Sequence, residues 1–185
     1  MKKRGNNNMT LETERLILRE WNLNDIEDLV EGLNNIEVSK WLGFVPYPYT
    51  KKDAEDWINY CIEDKENYKF AIELKEKHKV IGGTSLERIN KIQGTAGGGI
   101  WTNANYHGKG YGSEAWGRRI EFAFEELNLR RLETGFFDGN IPSFKMQTRF
   151  GGKIEGLKRK AFLCVADNTY IDEYIVGLLK EEWKK

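Results

Sequence analysis

The chain has 185 residues, 39% of them hydrophobic and 31% charged, a balance that supports one globular domain with its own core and excludes a disordered chain. Its 29 basic residues cancel its 29 acidic ones, so no global charge draws it to nucleic acid or to an anionic membrane. Two cysteines (Cys61, Cys164) and two histidines (His78, His107) lack disulfide or metal-ligand spacing, so reduced thiols and no metal are expected.

Met1-Lys2-Lys3-Arg4 is basic, but no apolar region follows it. Residues 1–9 therefore read as a polar lead-in rather than a signal peptide, residues 10–185 as a single domain, and the cytoplasm as its address. No apolar run approaches the roughly 18 residues that span a bilayer. Residues 11–19 read as a first strand carrying Leu16, Ile17 and Leu18. Asn24-Asp25 is expected to cap a helix whose apolar positions Ile26, Leu29, Val30 and Leu33 follow the helical period. Residues 41–49, with two prolines and four aromatics, read as a loop rich in apolar surface. Thr50 and Asp53 then form an acidic capping box for a helix running to about residue 64.

Strands are expected at 68–74 and 79–87, and a third at 95–102 that is interrupted by Gly97-Gly98-Gly99. Three glycines weaken a strand and predict a bulge or a close backbone approach. A helix over 113–127 buries Trp116, Ile120, Ala123, Phe124 and Leu127 as one stripe. A strand at 131–137 and a helix at 141–150, opened by Asn140 and Pro142 and stopped by Gly151-Gly152, come next. Residues 153–165 and 169–179 close the chain as a hairpin. This order is α+β with a mostly antiparallel sheet.

The strongest chemical signal is Gly108-Lys109-Gly110-Tyr111-Gly112-Ser113, between a strand and a long helix. Alternating glycines let successive N–H groups turn into one concavity, and the helix N-terminus adds partial positive charge, so a pyrophosphate would find several donors. The spacing is neither that of a P-loop nor that of a dinucleotide fold. On these residues alone, a structural turn that binds nothing stays open.

The stretch around this loop resembles motif A of the GCN5-related N-acetyltransferases, whose [Q/R]-x-x-G-x-[G/A] falls on His107-Gly108-Lys109-Gly110-Tyr111-Gly112, with histidine in the first place. Asn140-Ile141-Pro142-Ser143 matches the N-x-x-S of the RimJ/RimL-like branch of that family. Residues 11–19, Trp41-Leu42 with 50–57, and Asp172-Glu173-Tyr174 with Glu182-Trp183 also look like that branch, so the likeness covers nearly the whole chain. It implies a central mixed sheet flanked by helices, with a bulged fourth strand lying beside pantetheine.

The resemblance further implies acetyl-CoA as cosubstrate, held by Ile100, Trp101, Thr102, His107, Gly108, Lys109, Gly110, Tyr111, Gly112, Ser113, Asn140 and Ser143. A backbone N–H near residues 100–102 would polarise the thioester oxygen. Many members of the family donate the thiolate's proton from a tyrosine, but that position is Gln147 here. The branch instead implies Ser143 as donor and Glu155 as acceptor of the amine's proton. Each has a plainer reading: a hydroxyl bonded to the helix N-terminus for Ser143, a solvated strand carboxylate for Glu155, and for Asn140 a helix cap. Residues 41–49 are either an acceptor wall or a plug in the core.

The expected partners are acetyl-CoA and an amine acceptor, with no nucleic acid or membrane, on a monomer or homodimer. An α-amine titrates near 8 and a lysine near 10.4, so a weak base set favours the α-amine of a protein or peptide N-terminus. A small amine or antibiotic as acceptor, and a non-catalytic acyl-CoA-binding module, are the alternatives.

Overall fold

The computed structural model describes residues 9–185; apart from Met9, the expected lead-in lies outside the described residues. In chain order come β1 (Thr10–Glu12), β2 (Leu16–Glu20), α1 (Ile26–Leu33), α2 (Ile36–Ser39), α3 (Lys51–Glu63), β3 (Tyr68–Leu74) and β4 (Lys79–Asn90). They are followed by β5 (Thr95–Gly97), β6 (Ile100–Thr102), α4 (Tyr111–Glu121), β7 (Arg131–Phe137), α5 (Ile141–Arg149), β8 (Lys153–Cys164) and β9 (Thr169–Leu179). The strands form one sheet in the order β1-β2-β3-β4-β5-β7-β9-β8, with β6 paired to β4 off that path. Every pairing is antiparallel except β5 with β7. The mixed, mostly antiparallel α+β fold is therefore as expected, with the glycine-laden strand expected at 95–102 broken into β5 and β6.

Alternation along the strands sorts the two cores. Phe70, Ile72 and Ile81 join α4's Ala115, Trp116 and Ile120 on one face; Ala71 and Val80 join α1 and α3 through Leu29, Leu33, Ala54 and Ile58 on the other. The sheet thus lies between α1–α3 and α4. Thr50 and Asp53 form the expected capping box, with Thr50 N donating to Asp53 Oδ2 at 2.8 Å and Asp53 N to Thr50 Oγ1 at 3.2 Å. Among the described residues, no helix is long and apolar enough to cross a membrane.

Three local expectations need correction. The expected first strand is a hairpin, because Thr13 reverses the chain: Thr13 N donates to Leu16 O at 3.0 Å, and Leu16 N to Thr13 Oγ1 at 2.9 Å. The cap before α1 is Asn22, which accepts from Asn24 N at 3.0 Å. Asp25 completes that cap as a box, accepting from Asn22 N at 2.9 Å, and also accepts two bonds of 2.8 Å from Arg19. The helix expected at 113–127 starts at Tyr111 and widens into a π turn over Phe122–Glu126, with Leu127 N donating to Phe122 O at 3.0 Å. Phe122, Ala123 and Phe124 are all buried, a wider arc than one α-helical face covers.

Candidate active site

β5 and β7 run together for two register pairs, Thr95↔Arg131 and Ala96↔Leu132. Beyond these, β6 stays on β4 (Gly82↔Thr102, Gly83↔Trp101, Thr84↔Ile100), while β7 continues along β9 to Phe137↔Glu173. Two strand edges therefore face each other across a wedge-shaped cleft. The divergence is built at Gly98, whose φ is +113° and where a Cβ would collide with the Ser85 carbonyl. Ser85 N donates to Gly99 O at 3.0 Å and Asn103 N to Ile81 O at 2.8 Å. Ladder alternation then turns the N–H groups of Ile100 and Thr102 away from β4 and toward the cleft. Trp101 lies on the other phase, with its ring against Gly83 and Gly32.

Arg119, wholly buried on α4, holds the same strand break from behind. Its Nε donates to Ser85 O at 2.5 Å and its Nη2 to Gly97 O at 2.9 Å. Burial lowers the proton affinity of this guanidinium, and the two carbonyls oppose that cost by solvating the charge.

At the wide end of the cleft lies the glycine loop. Gly108 and Gly110 have φ of +73° and +83°, and Gly110 caps α4 without any side-chain bond. The N–H groups of Tyr111, Gly112 and Ser113 are consequently left without intrahelical acceptors. A Cβ on Gly108 would meet nothing within 4 Å, and one on Gly110 only Arg15 Nη2 at 3.3 Å. Open space beside bare donors at a helix N-terminus is a cradle that fits a pyrophosphate.

Arg15, a residue the sequence motifs did not single out, lies beside this loop as one half of an ion pair. Its Nη1 donates to Lys109 O at 3.1 Å, its guanidinium lies 4.4 Å from the Tyr111 ring centre, and Glu114 pairs with it at 2.6 Å. Glu114 also accepts from Thr13 Oγ1 at 2.6 Å and Arg15 N at 2.9 Å, docking the β1–β2 turn on the first turn of α4. His107 turns back on its own strand, its Nε2 lying 2.8 Å from Thr102 O. That carbonyl only accepts, so the imidazole carries its hydrogen on Nε2.

On the opposite bank, Asn140 caps α5 by accepting from Ser143 N at 3.2 Å, which realises its plainer reading. The Ser143 hydroxyl is not spent on a helix amide. It accepts from Gln147 Nε2 at 3.0 Å, and Gln147 also donates to Gly135 O at 2.9 Å and accepts from Thr134 Oγ1 at 2.6 Å. Gln147 is buried and lines a small cavity with Trp116, Ile120, Leu132 and Thr134.

Glu155 lies elsewhere. It sits at a register shift in β8 and receives Arg131 Nη1 at 2.8 Å and Nη2 at 2.5 Å. Arg131 belongs to the closed end of the wedge, whereas Gln147 reaches Thr134 and Gly135 in its open part. Ser143 and Glu155 are thus not brought together. The Arg131 hydrogen bonds hold the Glu155 carboxyl below the usual range and make it a weaker base than a free glutamate. This geometry weighs against the proton-acceptor role that the resemblance assigns to Glu155.

The loop after α2 docks on the β8–β9 hairpin. Val165 N donates to Gly43 O at 3.1 Å, and Cys164 Sγ to Lys40 O at 3.3 Å. Phe44 and Phe137 both pack on Phe162, with ring centres 5.7 and 5.4 Å away. Phe44 and Tyr47 remain exposed, so they do not plug the core; Tyr49 does. Among the described residues, no group of three or more His, Cys, Asp or Glu side chains is arranged to hold a metal.

The model of the acetyltransferase (GNAT) domain matches residues 15–153. The chain is 34% identical over 176 residues to the uncharacterized N-acetyltransferase p20 of Bacillus licheniformis, covering 94% of this chain and 98% of that one. It is similar to the solved structure of a GNAT-family acetyltransferase from Bacillus anthracis, at 25% identity and a TM-score of 0.81 over 94% of this chain and 100% of that one. The spermidine N-acetyltransferase of Vibrio cholerae, solved with CoA and spermine, shares the fold at 22% identity and a TM-score of 0.78, over 92% and 98% of the two chains.

Proposed function

Because the chain belongs to the GNAT acetyltransferase family and is an acetyl-CoA-dependent N-acetyltransferase, we propose that its acceptor is the α-amino group of a protein or peptide N-terminus. The resemblance to the RimJ/RimL-like branch supports this reading, and one structural observation carries it: the carboxylate nominated as base is tied to Arg131. A lysine acceptor, at neutral pH, stands about 3 pKa units from its neutral form and calls for a strong dedicated base. An α-amine, titrating near 8, is already about a tenth neutral at pH 7 and can lose its proton to solvent.

In this reading the glycine loop, with Arg15 beside it, holds the pyrophosphate, and the N–H groups of Ile100 and Thr102 bind along the pantetheine arm and thioester. Ser143 is the proton donor. The amine nitrogen bonds to the acetyl carbon as the carbon–sulfur bond breaks; Ser143 gives its hydrogen to the departing sulfur and regains one from the acylated nitrogen. The exposed aromatics of the loop after α2 form one wall of the acceptor site.

Thiol release from acetyl-CoA tests the proposal, using peptides with a free N-terminus, the same peptides N-terminally blocked but containing lysine, and spermidine. Turnover confined to free N-termini is the expected result. Turnover of spermidine or blocked peptides alone would move the acceptor to another amine.

A further inference from the structure

Gln147 stands where many relatives of this fold carry an acidic hydroxyl, and on acidity alone it has nothing to offer the reaction. Its surroundings assign it a different task. The carboxamide is buried and both of its N–H hydrogens are used: Gly135 O and Ser143 Oγ take them, and Thr134 gives its hydroxyl hydrogen to Oε1. Gly135 O can only accept, so the nitrogen must be the end that faces it and the amide cannot be reversed. Ser143, one helical turn earlier on the same face of α5, therefore receives a hydrogen bond and does not make one to Gln147. Its own hydrogen has no partner among the described residues, whereas a serine near a helix start ordinarily spends its side chain on the backbone.

We propose that Gln147, locked by Thr134 and Gly135, is a positioning residue for Ser143: by occupying a lone pair of Oγ it directs the Ser143 hydrogen away from α5 and into the cleft. This rests on the reading of Ser143 as proton donor. It also gives a physical reason for glutamine at this place. A leucine would leave Ser143 free to rotate and to bond back to its own helix, and a glutamate would accept the very hydrogen that has to remain available.

The experiment is a double-mutant cycle on the full chain with acetyl-CoA and an accepted amine. Ser143→Ala, Gln147→Met and Thr134→Val are made singly, and the last two also in the Ser143→Ala background. Each single variant is expected to lower kcat, by about tenfold for Gln147→Met and less for Thr134→Val, with little change in the KM for acetyl-CoA. In the Ser143→Ala background neither should lower kcat further, because both act through the serine. Gln147→Met and Thr134→Val multiplying the Ser143→Ala defect would show a merely structural brace and overturn the proposal. A normal kcat for Ser143→Ala would overturn the donor reading itself, and the inference with it. A normal kcat for Gln147→Met and Thr134→Val, with Ser143→Ala impaired, would sink the inference alone. Should Gln147→Met not fold, Thr134→Val carries the same comparison, since it removes one hydroxyl and keeps the side-chain shape.

Discussion

At the scale of single residues, Gly110 is where backbone conformation and chemistry meet. Its φ of +83° lies in the left-handed region, and it opens a helix whose first N–H groups are bare. Gly110→Ala costs about 1 kcal/mol in conformation and tilts those donors, so the KM for acetyl-CoA should rise about tenfold while the fold persists. An unchanged KM would remove the loop from the cofactor site. Glu155→Gln should leave kcat within about twofold, because the carboxylate already serves Arg131, and should cost under about 1 kcal/mol of stability as a half-exposed pair. A hundredfold loss of kcat would restore Glu155 to the chemistry. The turn of the glycine loop and the Asn140 cap were legible because turns and caps are local, whereas Ser143 was singled out only by the family resemblance. Arg15 and Gln147 were not legible: Arg15 gains meaning from Lys109 and Glu114, far away along the chain, and Gln147 from its bonds to Thr134 and Gly135.

At the scale of elements, the boundaries best read from sequence are those set by a neighbouring cap or turn, such as Thr50 before α3 and the turn between β8 and β9. Those misread depend on further partners: the β1–β2 reversal is held by Glu114 of α4, and the cap before α1 is shared by Asn22 and Asp25, with Arg19 bonded to the Asp25 carboxylate. The corner from α3 to β3 depends on Asp64. Burial raises the pKa of its carboxyl, but hydrogen bonds from Lys69, from the Asn67 side chain and from the amides of Glu66 and Asn67 outweigh this and hold it well below the ordinary value. For a carboxylate with a depressed folded pKa, the stabilisation is complete above the unfolded value near 3.9 and is lost as pH falls toward the folded one. Asp64→Asn should therefore cost about 3 kcal/mol at pH 7, since the Lys69 ammonium stays buried without its counter-charge. The variant should lose less additional stability than the parent between pH 4 and pH 2, as followed by urea unfolding. Equal acid sensitivity in both would place the titrating groups elsewhere.

At the scale of the whole molecule, the sheet is continuous only through the two register pairs that join β5 to β7. That break was foreshadowed by three glycines in a row. The buried arginine that braces it was not, because a charged residue in an amphipathic helix reads as solvent-facing until its carbonyl partners are known. Acetyl-CoA lying in the cleft would contact both banks and bind only the folded state. At a hundred times its dissociation constant it should stabilise the protein by about 2.7 kcal/mol, measurable as a rise in Tm. Those two pairs also make a crease. The half of the molecule carrying β7, β9 and α5 forms one leaf and the half carrying β6 the other; the Gly43–Val165 and Lys40–Cys164 hydrogen bonds also tie them, and coenzyme A lying between them would add a clasp. Hydrogen–deuterium exchange should then slow on addition of coenzyme A at Ile100 and Thr102 on one leaf and in the first turn of α5 on the other, in step, while the interior of β3 stays unchanged.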